Sequence, residues 1–204
     1  MLKKAAILSF AAGVFIGIGG TVFLSCENKV VGAVLFAVAL LTICCLGLYL
    51  FTGKIGYLAL SHKKEDVLAV LITLLGNLAG TLFSGLLVSY AKPALMEKAQ
   101  QSCAAKLELL PLPTLVLAFF CGILMYTAVA IYKEKQSVWG IFFCVPVFIL
   151  SGFEHSIADM FYLFTARIFT GEAMGFLLIV ILGNTLGGLF VPALRLLSGD
   201  LKHE

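Results

Sequence analysis

The chain has 204 residues, 61% of them hydrophobic and only 12% charged, with a mean hydropathy of +1.09. A soluble domain cannot cover its surface at that composition, so lipid is the solvent for most of the molecule. A formal charge of +3 with no clustered basic stretch argues against nucleic acid as a partner.

Hydropathy divides the chain into six segments. The first, residues 5–24, follows Lys3 and Lys4 in the manner of a signal peptide. Its apolar stretch is long enough to span and too long for a typical signal core, so it reads as a retained transmembrane helix. The others cover residues 30–60, 67–90, 112–132, 138–169 and 174–197. With the N-terminus in the cytoplasm, the inner tails and loops hold Lys3, Lys4, Lys63, Lys64, Lys133, Lys135, Arg195 and Lys202. The outer ones hold Lys29, Lys92, Lys98, Lys106 and Arg167. Eight basic residues against five place both termini inside.

The second and fifth segments are too long. Each covers about 31 residues, roughly 46 Å as unbroken helix, against a hydrocarbon core of about 30 Å. Each also carries an interruption: LFTG (50–53) followed by Lys54 in the second, and SGFEHS (151–156), shortly after Pro146, in the fifth. Two half-helices joined by an irregular turn fit both facts. Such turns are tolerated at membrane depth only where they are buried in protein or line a watery cavity, so they are expected to point inward.

An internal repeat accompanies the breaks. LGNLAGTLF (75–83) in the third segment matches LGNTLGGLF (182–190) in the sixth, which places Asn77 and Asn184 at a constant offset of 107 residues. Three crossings per half put the second half in upside down. The expected architecture is therefore all-α and integral to the membrane: one domain over 1–204, six transmembrane helices in two inverted three-helix repeats (about 5–90 and 112–197), the second and fifth helices broken. Inverted repeats with a discontinuous helix in each half describe a channel or secondary transporter. Tight packing through small residues explains the same glycines, with Asn77 and Asn184 as polar glue.

His155 is the one histidine inside a span; His62 and His203 fall at expected cytoplasmic ends. Ionisable groups are costly in lipid and default to pathway or relay roles, and histidine's ordinary titration range suits the lending of a proton. Glu154 is expected to be scaffold, accepting hydrogen bonds from freed backbone N–H groups or pairing with a cation. Asp159, one turn beyond His155, reads as a capping or hydrogen-bonding residue. Two readings of Thr52 stand side by side: a cap for the half-helix that follows, or a partner facing His155 across the pore. Lys54 either snorkels or serves as a cation for the pore or for Glu154. The six cysteines show no CxxC or Cys/His spacing, so no metal site and no cofactor are expected.

GFEHSIADMFYL closely resembles the GFEHSIANMF signature of the formate/nitrite transporter family; LFTGK resembles its LFTGN, and LGNTLGG its TLGN-x-x-GG segment. The likeness runs from the first segment to the sixth and marks a compact, bacterial-type member. It implies a homopentamer of aquaporin-like protomers in the bacterial cytoplasmic membrane, each with its own pore. The implied substrates are small monovalent anions such as formate, nitrite or hydrosulfide, moving with protons. On this sequence the resemblance makes His155 the central histidine and Thr52 its partner. Leu40, Leu50, Phe51, Phe148 and Met125 become the apolar constrictions. The chain departs from the family at three places: Lys54 stands for the Asn after LFTG, Asp159 replaces the usual Asn, and CGILMYTAVAIYKEK replaces the usual Cys-Asn-Trp stretch of the fourth segment.

Two rival classes are weaker. An aquaporin-like channel for neutral solutes is expected to carry paired Asn-Pro-Ala turns, and no Asn-Pro-Ala occurs. An enzyme using Glu154, His155 and Ser156 needs side chains within mutual reach, whereas neighbours in one turn diverge. The chain is therefore not expected to be an enzyme.

Overall fold

The computed structural model describes residues 2–61 and 63–201 and is all-α among them. His62, Lys202 and His203 lie outside the described residues. In chain order the elements are α1 (Leu2–Ser25), α2 (Lys29–Cys45), α3 (Phe51–Lys54) running into a 3₁₀ turn (Ile55–Ala59), α4 (Lys64–Ala91), α5 (Pro93–Leu107), α6 (Pro111–Lys135), α7 (Trp139–Leu150), α8 (Ser156–Ala166) and α9 (Gly171–Leu197). Helices α1, α4, α6 and α9 are long and apolar enough to cross a membrane, whereas α2 and α7, with 17 and 12 residues, are not. The two overlong segments are thus split, one into α2 and α3, the other into α7 and α8.

Both first half-helices end in the same way. Gly47 and Gly152 take left-handed backbones, at φ +63° and +66°, which an L side chain would strain. The following N–H then turns back five residues, Leu48 onto the Ile43 carbonyl and Phe153 onto the Phe148 carbonyl, each at 2.9 Å. The first break therefore occupies residues 46–50, ahead of its expected place at LFTG, and most of LFTG is already helical in α3.

The segment between the third and fourth spans, expected to be a loop, folds as α5. Pro93 opens it, where proline's missing N–H costs nothing, and Leu95, Ala99 and Cys103 supply a buried face at helical spacing. Its mean polarity kept it from standing out as an element.

The halves interleave. Helix α1 packs along α4 and α6 along α9; α2 lies on α1 and α7 on α6. Each second half-helix crosses to the opposite half, the 3₁₀ turn against α9 and α8 against α4. The matched LGN stretches point the same way: Leu75, Phe83, Leu182 and Phe190 are exposed on an apolar exterior, while Asn77 and Asn184 are fully buried. A Cβ at Gly80 would meet the Phe10 carbonyl, and one at Gly187 the Phe119 carbonyl, so the same stretches are also close-packing faces.

Candidate functional site

The two asparagines hold the two breaks. Asn77 Oδ1 accepts from the Phe51 N–H at 2.8 Å, and its amide donates to the carbonyls of Ser9 (2.8 Å) and Tyr49 (2.9 Å). Asn184 repeats the arrangement: its Oδ1 accepts from the Ser156 N–H, and its amide donates to the carbonyls of Ala118 and Glu154, all at 2.8 Å. A break in a buried helix frees backbone groups that lipid cannot satisfy; one carboxamide on the neighbouring long helix closes two of them and ties them to a carbonyl of α1 or α6.

The breaks bring Thr52 and His155 together. Thr52 Oγ1 lies 2.9 Å from His155 Nε2, and both side chains are buried. Leu50, rather than Thr52, occupies the N-cap position of α3. His155 is itself the N-cap of α8, its Nδ1 accepting from the Ala158 N–H at 3.1 Å. A nitrogen that accepts carries no proton, so the ring is the Nε2–H tautomer and Nε2–H donates to the Thr52 hydroxyl. A second ring proton would set one N–H against another at Nδ1.

Two cavities flank this pair. One, of about 580 Å³, lies toward the Lys29 end of α2 and is lined by Phe36, Lys106, Phe148, Glu154, His155 and Asp159, among others. The second, of about 260 Å³, lies toward the Cys44 end and is lined by Leu40, Leu50, Gly53, Lys54, Tyr132 and Lys133, among others. Phe51 and Thr52 line neither and sit in the packed septum between them. The Phe148 ring stacks on His155 (centroids 5.5 Å apart, planes 26° apart) and meets Phe36 edge-on at 6.1 Å. Met125 is buried in α6 and lines neither cavity. Phe36, not anticipated from sequence, backs Phe148 and lines the same cavity as His155.

Glu154 does pair with a cation, but with Lys106 of α5 and not with Lys54. Lys54 is on the far side of the septum, its ammonium 3.7 Å above the Tyr49 ring. Lys106 also holds Asp159, Nζ to Oδ1 at 3.0 Å. Burial disfavours the Lys106 charge, but the carboxylates of Asp159 and Glu154 outweigh it and hold the ammonium above lysine's ordinary range. Asp159 Oδ2 remains buried without a hydrogen-bond partner among the described residues. Sequence reasoning missed Lys106, although Leu95, Ala99, Cys103 and Lys106 continue one helical face with a charge at its end.

One ammonium is thus shared between two buried carboxylates in the lining of the larger cavity, which Lys29 and Lys98 also line.

A family model described as formate/nitrite transporter matches residues 1–197. The chain is 31% identical to the nitrite transporter NirC of Salmonella typhimurium, over 97% of this chain and 84% of that protein. It is 27% identical to a probable formate transporter of Methanothermobacter thermautotrophicus, over 95% of this chain and 88% of that protein. A solved structure described as an FNT family ion channel superposes with a TM-score of 0.86 at 25% identity, covering 95% of this chain and 89% of that one. Another, described as a pentameric formate channel with formate bound, gives 0.82 at 24% identity over 98% of each chain, a likeness of fold.

Proposed function

Because the chain belongs to the formate/nitrite transporter family, a family of membrane transporters rather than enzymes, we propose that it carries small monovalent anions of the formate, nitrite and hydrosulfide class across the bacterial cytoplasmic membrane, each accompanied by a proton. The protomers assemble as a homopentamer of aquaporin-like units, with one pore per protomer between the inverted halves. Both termini face the cytoplasm, which puts the Lys133 cavity on that side and the Lys106 cavity outside.

The observation that carries the reading is the buried Thr52–His155 hydrogen bond between the two cavities. An apolar septum excludes a bare anion at a cost of many kcal/mol, whereas a neutral acid needs only a few hydrogen bonds in exchange for its water. The anion takes its proton from cavity water at the edge of the septum, where the falling dielectric favours the uncharged form. Leu40, Leu50, Phe51 and Phe148 keep water out, and Phe36 joins them; Met125 supports the wall from behind. His155 Nε2–H and the Thr52 hydroxyl then offer the neutral acid one polar rung. Glu154 and Lys106 orient the break beside it, and Asn77 and Asn184 hold both breaks in register.

The test is a flux panel of formate, nitrite and hydrosulfide into proteoliposomes at two pH values. Faster entry of all three at the lower pH is expected, with alkalinisation of the outer medium. Entry that ignores pH would remove the neutral-acid step, and no entry at all would remove the transport reading.

A further inference from the structure

Lys54 is the residue by which this chain departs from the pattern after LFTG, and it has a partner that sequence spacing does not reveal. Lys133, at the end of α6, lines the same small cavity. Both ammonium groups are seated on tyrosine rings rather than on carboxylates: Lys54 lies 3.7 Å from the Tyr49 ring centre and Lys133 lies 3.9 Å from that of Tyr57. A ring face holds a cation without cancelling its charge, and it leaves N–H donors free. The acidic groups of neighbouring elements stay out of the cavity lining, although Asp66, at the start of α4, is near enough for its charge to act on Lys54. Glu134 is clamped by Arg195 at 2.7 and 3.2 Å, and Asp66 accepts from the Ser61 hydroxyl at 2.5 Å.

The two cavities are therefore unlike in charge. The larger carries Lys29, Lys98 and Lys106, but it also carries Glu154 and Asp159, both held by Lys106. The smaller has, among the described residues, two lysines and no carboxylate in its lining, within about 260 Å³. Low-dielectric walls focus the field of uncompensated charges into such a space. Its inner end is closed by Leu40 and Leu50, so whatever is held there waits at the edge of the septum.

We propose that Lys54 and Lys133 form a binding site for one small monovalent anion at this mouth, seated by Tyr49 and Tyr57 and reached from the Lys133 side only. The site makes the pore asymmetric: at equal concentration, anion is captured more readily from that face than from the other. This inference rests on the transport reading above and deepens it.

The experiment measures formate entry from each face separately, in right-side-out and in inverted membrane vesicles, as a function of formate concentration. In the wild type, half-saturation is expected at lower formate from the Lys133 face, and raising the ionic strength weakens that face more than the other. Lys54→Asn and Lys133→Gln should each raise half-saturation from that face by roughly three- to tenfold and leave the opposite face unchanged. The double variant should fall short of the product of the two effects, because both cations hold the same ion. Lys54→Arg, which keeps the charge, should restore most of the affinity and guards against a variant that merely misfolds. Equal shifts on both faces, or wild-type vesicles with no difference between faces and no face-specific salt effect, would overturn the site while leaving transport intact. Wild-type vesicles that pass neither formate, nitrite nor hydrosulfide would instead remove the function on which the site depends.

Discussion

His155→Phe is expected to lower formate flux by roughly five- to 150-fold, because one lost hydrogen bond at a desolvated step costs about 1–3 kcal/mol and each 1.4 kcal/mol is a factor of ten. Phenylalanine preserves the stack on Phe148 but leaves the Thr52 hydroxyl without its partner and the passing acid without a donor. His155→Asn should behave differently. Its amide still donates, and asparagine caps a helix well, so α8 keeps its first turn. Flux through this variant should be slower than wild type yet still rise on acidification, since the proton comes from cavity water rather than from the ring. Loss of that acid response in His155→Asn would show that the ring itself carries the proton, which requires Nδ1 to release the Ala158 N–H. Unchanged flux in His155→Phe would remove the rung altogether. Thermal melting of both variants separates a lost cap, worth about 1 kcal/mol, from a lost step in transport.

The architecture was largely legible because its cause is compositional. Two segments too long for a bilayer, each with polar or glycine residues inside, announce a split helix whatever the tertiary contacts. The placement of the first split was less legible. Its break needs a left-handed residue, which Gly47 supplies amid CCLGLYL, a stretch with no polar marker, whereas the threonine and lysine of LFTGK drew attention downstream. Asn77 and Asn184 were legible as a pair through the repeat, but their identical triads of bonds depend on α1 and α6 lying beside them. The partner of Glu154 was out of reach for a different reason. Lys54 and Lys106 are both plausible cations by charge, and only the folded chain puts one on each side of the septum. Helix α5 compounds this: its face is apolar enough to dock yet too polar on average to register as a span, so Lys106 read as a loop residue. Asp159 was read as a local cap because it stands one turn from His155, whereas its actual partner comes from 53 residues earlier in the chain, at Lys106.

Asn184→Ala should destabilise the fold by about 2–5 kcal/mol, since it strips the partner from two buried main-chain groups of the break at about 1–3 kcal/mol each, with incomplete additivity, and removes the tie to α6. The groups are the Ser156 N–H and the Glu154 carbonyl, and no lipid atom can replace the carboxamide that serves them; the Ala118 carbonyl loses only a second donor, being already bonded within α6. Asn77→Ala strips the Phe51 N–H and the Tyr49 carbonyl and removes the tie to the Ser9 carbonyl of α1, and should cost a similar amount. Thermal unfolding in detergent and the monodisperse fraction after extraction would measure both. Asn184→Asp distinguishes hydrogen bonding from packing: it is nearly isosteric and keeps the acceptor for Ser156, but it turns an oxygen toward two carbonyls, one of which, Glu154's, has no other donor among the described residues. It should therefore melt nearly as early as the alanine variant despite filling the same space. An aspartate variant as stable as wild type would mean that the asparagine merely fills volume. The Glu154 carbonyl tethered by Asn184 belongs to the residue just before His155. Any Asn184→Ala protein that still folds should accordingly lose the Thr52–His155 alignment and most of its flux, while an intact flux in folded Asn184→Ala protein would free the histidine's position from the asparagine's hold.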